Sequence, residues 1–316
     1  MQPKTVKITR VHENTAEILK EAVQNAGLRG KRKIFVKPNL SHPEYVPGVV
    51  TDPDLLRELV DLLRDGAEEV VVGESDGFNY PCWSAFDKTG LEKAVKQAGG
   101  TVINLSEDKV VKVKFSKGPL ETLFLPKTVL DADAVVDVAL MKTHEFAVYS
   151  GAIKNLFGCV PSNRRIYLHP YLPEVFYRLY AVFKPQLTVM DARVGIEGNG
   201  PTKGNPVKMG LMLTSGDALA LDVTATRIMG LDWKQTYLNY IAAKTGLREG
   251  DIRVEGLQVD EVKRRFEPPR IDLPVKAQME IYKHEYLTKL LFCSLGVVKL
   301  FQRVTVAYRG ESIEVG

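Results

Sequence analysis

The sequence predicts an α/β fold: a mostly parallel, open sheet flanked by helices, with a C-terminal helical appendage. Three observations point there. Short β-branched runs alternate with stretches of helical period through most of the chain. Those runs stop at Pro, Gly or small polar residues, as a strand does where it meets a loop. Reactive side chains gather just after the runs, where open α/β sheets place their sites.

Taken in order, Thr5–Thr9 alternates into a short strand, and His12–Asn25 reads as helix with Ala16, Ile18, Leu19, Ala22 and Val23 on one side. Lys33–Lys37 is a second strand, cut off by Pro38. Thr51 or Asp52 caps the next helix, with Pro53 in its first turn and Gly66 after its end. Glu69–Gly73 is a third strand, Cys82–Ala98 a helix broken near Gly90, and Thr101–Leu105 a fourth strand. Lys109–Phe115 and Thr122–Leu125 form a two-stranded excursion around Gly118-Pro119. Asp133–Leu140 returns to the core as a buried strand. Tyr171–Phe183 is helix, and Leu187–Met190 and Lys208–Thr214 are strands. Ser215-Gly216-Asp217 caps a helix to Met229, another covers Lys234–Lys244, and the pattern fades near Asp251–Gly256. From Ala277 to Phe301 the chain is mostly apolar with lysines spaced through it, read as an appended helix, then a short strand Val304–Tyr308. The expected organisation is an α/β domain over residues 1–270, divisible into two lobes near 126, followed by the appendage at 271–316.

With 316 residues, 45% apolar and 26% charged, the chain can bury a large core, and disorder is excluded as its overall state. A net charge of +4 suits anionic small ligands and does not argue for nucleic acid. Cys82, Cys159 and Cys293 lie far apart with no CxxC pair, so no iron–sulfur cluster is expected from local spacing. Sparse cysteines and an N-terminus without an apolar leader predict a cytoplasmic protein. No stretch has the apolar length of a transmembrane segment.

The densest chemistry follows the Asp133–Leu140 strand: Lys142, Thr143, His144, then Ser150, Gly151, Lys154, Asn155 and Cys159. His144 is suited to proton transfer near neutral pH. Lys154, once desolvated, is a base, a nucleophile or an anion clamp. The small-residue turn Ser150-Gly151-Ala152 allows close backbone approach and starts a helix whose N–H groups face a phosphate or carboxylate. If the sheet is parallel, Lys37–His42, Glu74–Asp76, Asp191–Asn205 and Ser215–Asp217 share its edge. Lys37 and Asn39 then supply a cation and an amide. Glu74 and Asp76 either bind a metal or pair with Lys37 or Lys142, or else Ser75 or Asp76 caps the next helix. Gly195–Pro206 either covers a substrate, bringing Asn199 to it, or is a long turn. Arg164 and Arg165, near His169, clamp an anion or are solvated. Cys159 is a packed small hydrophobe or a nucleophile. The Leu287–Phe301 stripe fits core or subunit packing, and hence a homo-oligomer through the C-terminal helix, or a membrane surface.

Val36–Leu40, Lys142–His144, Ser150–Gly158, Met190-Asp191-Ala192 with Glu197–Pro201, and Ala218–Asp222 resemble the signature run of the DUF362 family, in family order, across about residues 5–256. Many members carry ferredoxin-like cysteine motifs, which implies redox roles, with deazaflavin or peptide-derived cofactors suggested for some. This chain lacks those cysteines. His144, the small-residue turn and Lys154 also resemble the segment of nickel-pincer lactate racemases in which a lysine holds the cofactor. By that resemblance His169 falls near a nickel-ligating histidine, while Ala152 and Phe157 depart from the pattern. It implies a shared fold and pocket without the nickel cofactor.

The expected function is an enzyme of proton or hydride transfer, an oxidoreductase among the options, acting on a small anionic molecule or phosphorylated cofactor of unknown identity. His144 would be acid/base. Lys154, Lys37 and Lys142 would hold the anion, and Asn39 and Asn155 would orient it. The alternatives are a ligand- or cofactor-binding module without chemistry and a metal-dependent hydrolase or racemase-like enzyme using Glu74, Asp76 and His144.

Overall fold

The structure is a computed structural model and describes residues 4–77, 80–161 and 165–292, with positions 296–297, 300 and 303–304 beyond them. The first half supplies β1 (Lys4–Arg10), α1 (Thr15–Asn25), β2 (Lys33–Lys37), α2 (Pro53–Arg64), β3 (Glu69–Glu74), α3 (Cys82–Lys88), α4 (Leu91–Gln97), β4 (Thr101–Asn104), β5 (Val110–Lys114) and β6 (Thr122–Pro126). The break near Gly90 is real: that residue is left-handed, at φ 77°, between α3 and α4. Asp52 caps α2 by accepting the Leu55 N–H, with Pro53 in the first turn. Leu55, Leu56, Leu59, Val60 and Leu63 are the buried face of that helix.

The second half adds α5 (Lys127–Leu130), β7 (Ala134–His144), β8 (Val148–Ser150), α6 (Ala152–Asn155), α7 (Leu172–Phe183), β9 (Leu187–Glu197), β10 (Asn205–Ser215), α8 (Ala218–Ile228), α9 (Tyr237–Thr245), β11 (Ile252–Gly256), α10 (Val259–Val262), α11 (Leu273–Tyr282) and α12 (Glu285–Phe292). Short 3₁₀ turns at Leu156–Cys159 and Ile166–Tyr171 follow α6.

Nine strands form one sheet in the order β11-β1-β10-β9-β7-β2-β3-β4, with β8 folded back on β7. Parallel pairing joins β9, β7, β2, β3 and β4, and β1 to β11. β10 is antiparallel to both its neighbours. The fold is thus the mostly parallel open sheet, flanked by helices, with a C-terminal helical segment. β5 and β6 form a separate antiparallel pair.

Strand alternation divides the core. Ile34 and Val36, Val70 and Val72, Ala134 and Val136 join the cluster under α1–α4. Phe35, Val71 and Val135, one residue out of step, join the opposite cluster with Leu123, Leu125, Val175 and Leu179. Helices on both faces are the reason these strands read as continuous apolar runs. A third cluster surrounds α8, whose residues are nearly all buried.

Five details differ from the sequence expectation. Because β9 and β10 are joined as a hairpin, β10 runs backwards and delivers Ser215–Asp217 to the opposite sheet edge, where Asp217 pairs with Lys4 at 2.8 Å. β7 continues to His144 and returns as β8, so the residues after Leu140 are strand. The faint pattern near Asp251 is a short edge strand beside β1. The C-terminal helix is two helices, broken at Lys283 and His284. In the expected last strand, Val304 is helical, and residues 305–308 lie outside the described set, as do Arg164 and Cys293.

Candidate functional site

β2, β3 and β7 end at one sheet edge, and the loops leaving them enclose a cleft of about 360 Å³. Asn39, Ser41, Glu74, Ser75, Lys142, His144, Ser150, Lys154, Asn155 and Arg165 are among its walls.

The floor is a buried polar network. Lys37 is fully buried and donates to Glu74 Oε2 at 2.5 Å and to the Pro38 carbonyl at 2.7 Å. Pairing with Lys37 is thus the role Glu74 takes up. Gly158 makes room for this ion pair: a Cβ there would sit 2.3 Å from Glu74 Oε1 and 2.8 Å from Lys37 Nζ. Asn155 donates through Nδ2 to Asp137 Oδ1 at 2.7 Å and accepts through Oδ1 from Asn39 Nδ2 at 3.1 Å. Asn39 Oδ1 in turn accepts from Lys142 Nζ at 2.9 Å. Both amides are thereby fixed in orientation. Burial raises the Asp137 carboxyl well above its ordinary range.

The three lysines differ in their surroundings. Lys142 has only neutral acceptors: Asn39 Oδ1, Ser41 Oγ at 3.0 Å and the Val49 carbonyl at 2.5 Å. Burial, then the charges of Lys154 and Lys37, push its pKa far down. Lys154 has no hydrogen-bond or ion-pair partner among the described residues, and burial followed by the nearby Arg165 guanidinium pushes it down to about 8. Arg165 also lines the cleft and donates to the Asp76 backbone carbonyl. The one carboxylate among the described lining residues is Glu74, already matched by Lys37. The cleft therefore carries surplus positive charge.

His144 ends β7. Its Nδ1 accepts the Phe146 N–H at 3.1 Å, which leaves the neutral ring's proton on Nε2. Burial, then Lys154, His169 and Lys142, depress its pKa well below 6.5. Across the β7–β8 turn, Val148 pairs with His144 at φ 65°, a left-handed conformation rare for a β-branched residue. The His169 ring lies 4.4 Å from Tyr282 of α11, and Tyr282 also meets Phe146 at 5.9 Å. Tyr282 thus joins Phe146, His144 and His169 in an aromatic cluster beside the cleft, without itself lining it.

The Ser150–Ala152 turn is built differently from the anion cradle expected of it. Asp222, fully buried on α8, accepts the N–H groups of Ala152 at 2.7 Å and Ile153 at 2.9 Å, and the Tyr149 hydroxyl at 2.8 Å. The carboxylate at those amides is the protein's own. Gly151 is required because a Cβ would lie 2.0 Å from the Tyr149 hydroxyl and 2.3 Å from Asp222. Its burial pushes the Asp222 carboxyl up to about 7.

Other expected site residues lie elsewhere. Asn199 is outside the cleft lining and accepts the Arg270 N–H at 3.0 Å. The loop carrying it is held to β7 by the Thr143 hydroxyl, which donates to the Gly198 carbonyl at 2.8 Å. Asp76 accepts from the first amide of α3, Cys82, at 2.8 Å and from Asn104 at 3.0 Å. Among the described residues no three His, Cys, Asp or Glu side chains gather as a metal-binding group. Cys159 and Cys82 are buried free thiols with raised pKa values, Cys159 as a packed residue. Sequence reasoning gave no site role to Asp222, to Asp137 or to Tyr282. The first two had a signal: each is a carboxylate inside an otherwise apolar or small-residue run.

The family model described as a domain of unknown function, DUF362, matches residues 34–227. The chain is 28% identical over 216 residues to the thylakoid-associated protein sll1697 of Synechocystis sp. (strain ATCC 27184 / PCC 6803 / Kazusa). That alignment covers 63% of this chain and 64% of the relative, so the chain spans less than two thirds of the relative's length. Among solved structures, the lactate racemase apoprotein from Thermoanaerobacterium thermosaccharolyticum is similar with a TM-score of 0.46 and 17% identity, over 73% of this chain and 58% of that one. No described helix is long and apolar enough to cross a membrane.

Proposed function

The chain belongs to the DUF362 family, and we propose that its cleft binds a small anionic molecule, or a cofactor through its phosphate, and that His144 hydrogen-bonds the ligand oxygen on which charge develops during a proton or hydride transfer. One observation carries this reading: the Lys154 amine stands without a hydrogen-bond or ion-pair partner among the described residues, beside Arg165, in a cleft whose carboxylate is already neutralised. An anion supplies the missing counter-charge, and partial desolvation strengthens its attraction.

The division of labour follows. Lys154 and Arg165 hold the anionic group. Lys142, Asn39 and Asn155 form a fixed wall that orients it. His144 is neutral at pH 7 and presents Nε2–H, so it donates to a ligand oxygen that gains charge. In either a proton transfer or a hydride transfer at carbon, an adjacent oxygen gains negative charge, and the role proposed for His144 is to stabilise that charge through its Nε2–H hydrogen bond while the ring stays neutral. The buried free thiols fit a reducing compartment such as the cytoplasm.

Mass spectrometry and absorption spectra of freshly purified protein identify what occupies the cleft, and calorimetry with inorganic phosphate measures the anion site. Lys154→Met is expected to lower phosphate affinity by about 10- to 100-fold, the scale of a charged hydrogen bond. His144→Gln is expected to keep that affinity and lower turnover of the co-purified compound by about 10²-fold or more. Unchanged turnover would leave a binding module without chemistry.

A further inference from the structure

Twelve large apolar side chains stand exposed among the described residues, and seven of them lie after residue 270. Leu273, Tyr286, Leu300 and Val304 are each more than half exposed. Tyr286 and Leu290, four residues apart, stand exposed on one face of α12. Such a concentration in one segment is unusual for a surface in water alone.

Charge accompanies it. Residues 263–304 hold nine Lys and Arg against four Asp and Glu, a net +5 that exceeds the +4 of the whole chain. Lys263, Arg264, Arg265, Lys276, Lys283 and Arg303 are exposed. Beside the first turn of α12 an apolar cavity of about 300 Å³ opens between Leu120, Phe124, Leu168 and Glu285. Basic, amphipathic helices with an exposed aromatic ring lie in the interface of anionic bilayers, apolar side chains inserted and lysines at the headgroups. A twofold contact between two copies would set this positive segment against itself.

We propose that the C-terminal helices α11 and α12, with the helical positions after them, are a docking surface for an anionic lipid bilayer. The surface is separate from the cation-lined cleft and does not depend on what the cleft binds.

Co-sedimentation of the full chain with phosphatidylcholine vesicles, and with vesicles in which about a third of the lipid is phosphatidylglycerol, tests this. Binding at least ten-fold tighter to the anionic vesicles, weakened by high salt, is expected. Tyr286→Glu with Leu300→Glu should abolish it while leaving thermal melting unchanged, and Lys276→Glu with Lys283→Glu should lower it in the same way. No binding to either vesicle, or binding indifferent to both pairs of substitutions, would overturn the proposal. So would a stable dimer in light scattering that the apolar substitutions dissociate, since the face would then belong to a second copy.

Discussion

Asp222 Oδ1 lies 2.7 Å from the Ala152 backbone nitrogen, so a carboxylate from α8 closes the amide end of the turn that carries Lys154. Asp222→Ala would leave two amides and the Tyr149 hydroxyl unsatisfied, each costing about 1–3 kcal/mol when buried. A fall of several degrees or more in melting temperature is the expected reading. The carboxyl also titrates near 7 when folded, against about 3.9 unfolded. Between those values the folded chain holds the extra proton, so this group's contribution to stability falls as pH rises from about 4 to about 7. Denaturant midpoints at pH 5 and pH 8 should differ less in Asp222→Asn than in the native chain.

Lys154 gives the opposite slope. Its folded pKa of about 8 lies below the unfolded value of about 10.4. The unfolded chain binds the extra proton between them, so its penalty to stability is full below 8 and is relieved as pH rises towards 10.4. Ligand binding runs the other way: affinity for phosphate should drop as pH passes 8 and the ammonium is lost. Titration calorimetry across pH 7 to 9 should show that drop in the native chain and a flat profile in Lys154→Met.

The Lys37–Glu74 pair is tested by a double-mutant cycle. Lys37→Met strands a buried carboxylate and should cost about 3–5 kcal/mol. Adding Glu74→Gln should recover part of that loss. Additive costs in chemical denaturation would show that the pair is not coupled. Gly158→Ala should resemble the single variant, because its Cβ would push into both side chains.

Nitrogen NMR of His144 should show the Nε2–H tautomer and no protonation between pH 8 and pH 6, since burial and three cationic neighbours depress its pKa. An imidazolium signal at pH 6.5 would contradict that placement of charge.

The sheet was legible because its strands are buried on both faces and its turns are marked by Pro and Gly: Pro38 ends β2, and Gly90 separates α3 from α4. The gathering of Asn39, Glu74, Lys142, His144 and Lys154 around the cleft, with Lys37 buried against Glu74, followed from parallel order alone, with no long-range information. The reversal of β10 was not legible. Gly195–Pro206 is rich enough in turn residues to serve equally as a crossover or a hairpin, and only pairing with β9 decides. Which lysine keeps its charge free was also out of reach, because Lys37, Lys142 and Lys154 differ only in neighbours distant in sequence. Asn199 was drawn to the ligand by its loop, yet its partner is the Arg270 backbone.

The Tyr282–His169 contact joins parts of the chain that are made far apart in time. β2, β3 and β7, with the lysines and His144, are all made by residue 154, while the ring against His169 arrives 128 residues later. A chain halted near residue 260 would own the charged floor and lack the Tyr282 ring that packs on His169. The histidine side of the cleft therefore acquires this aromatic packing only once α11 has been added.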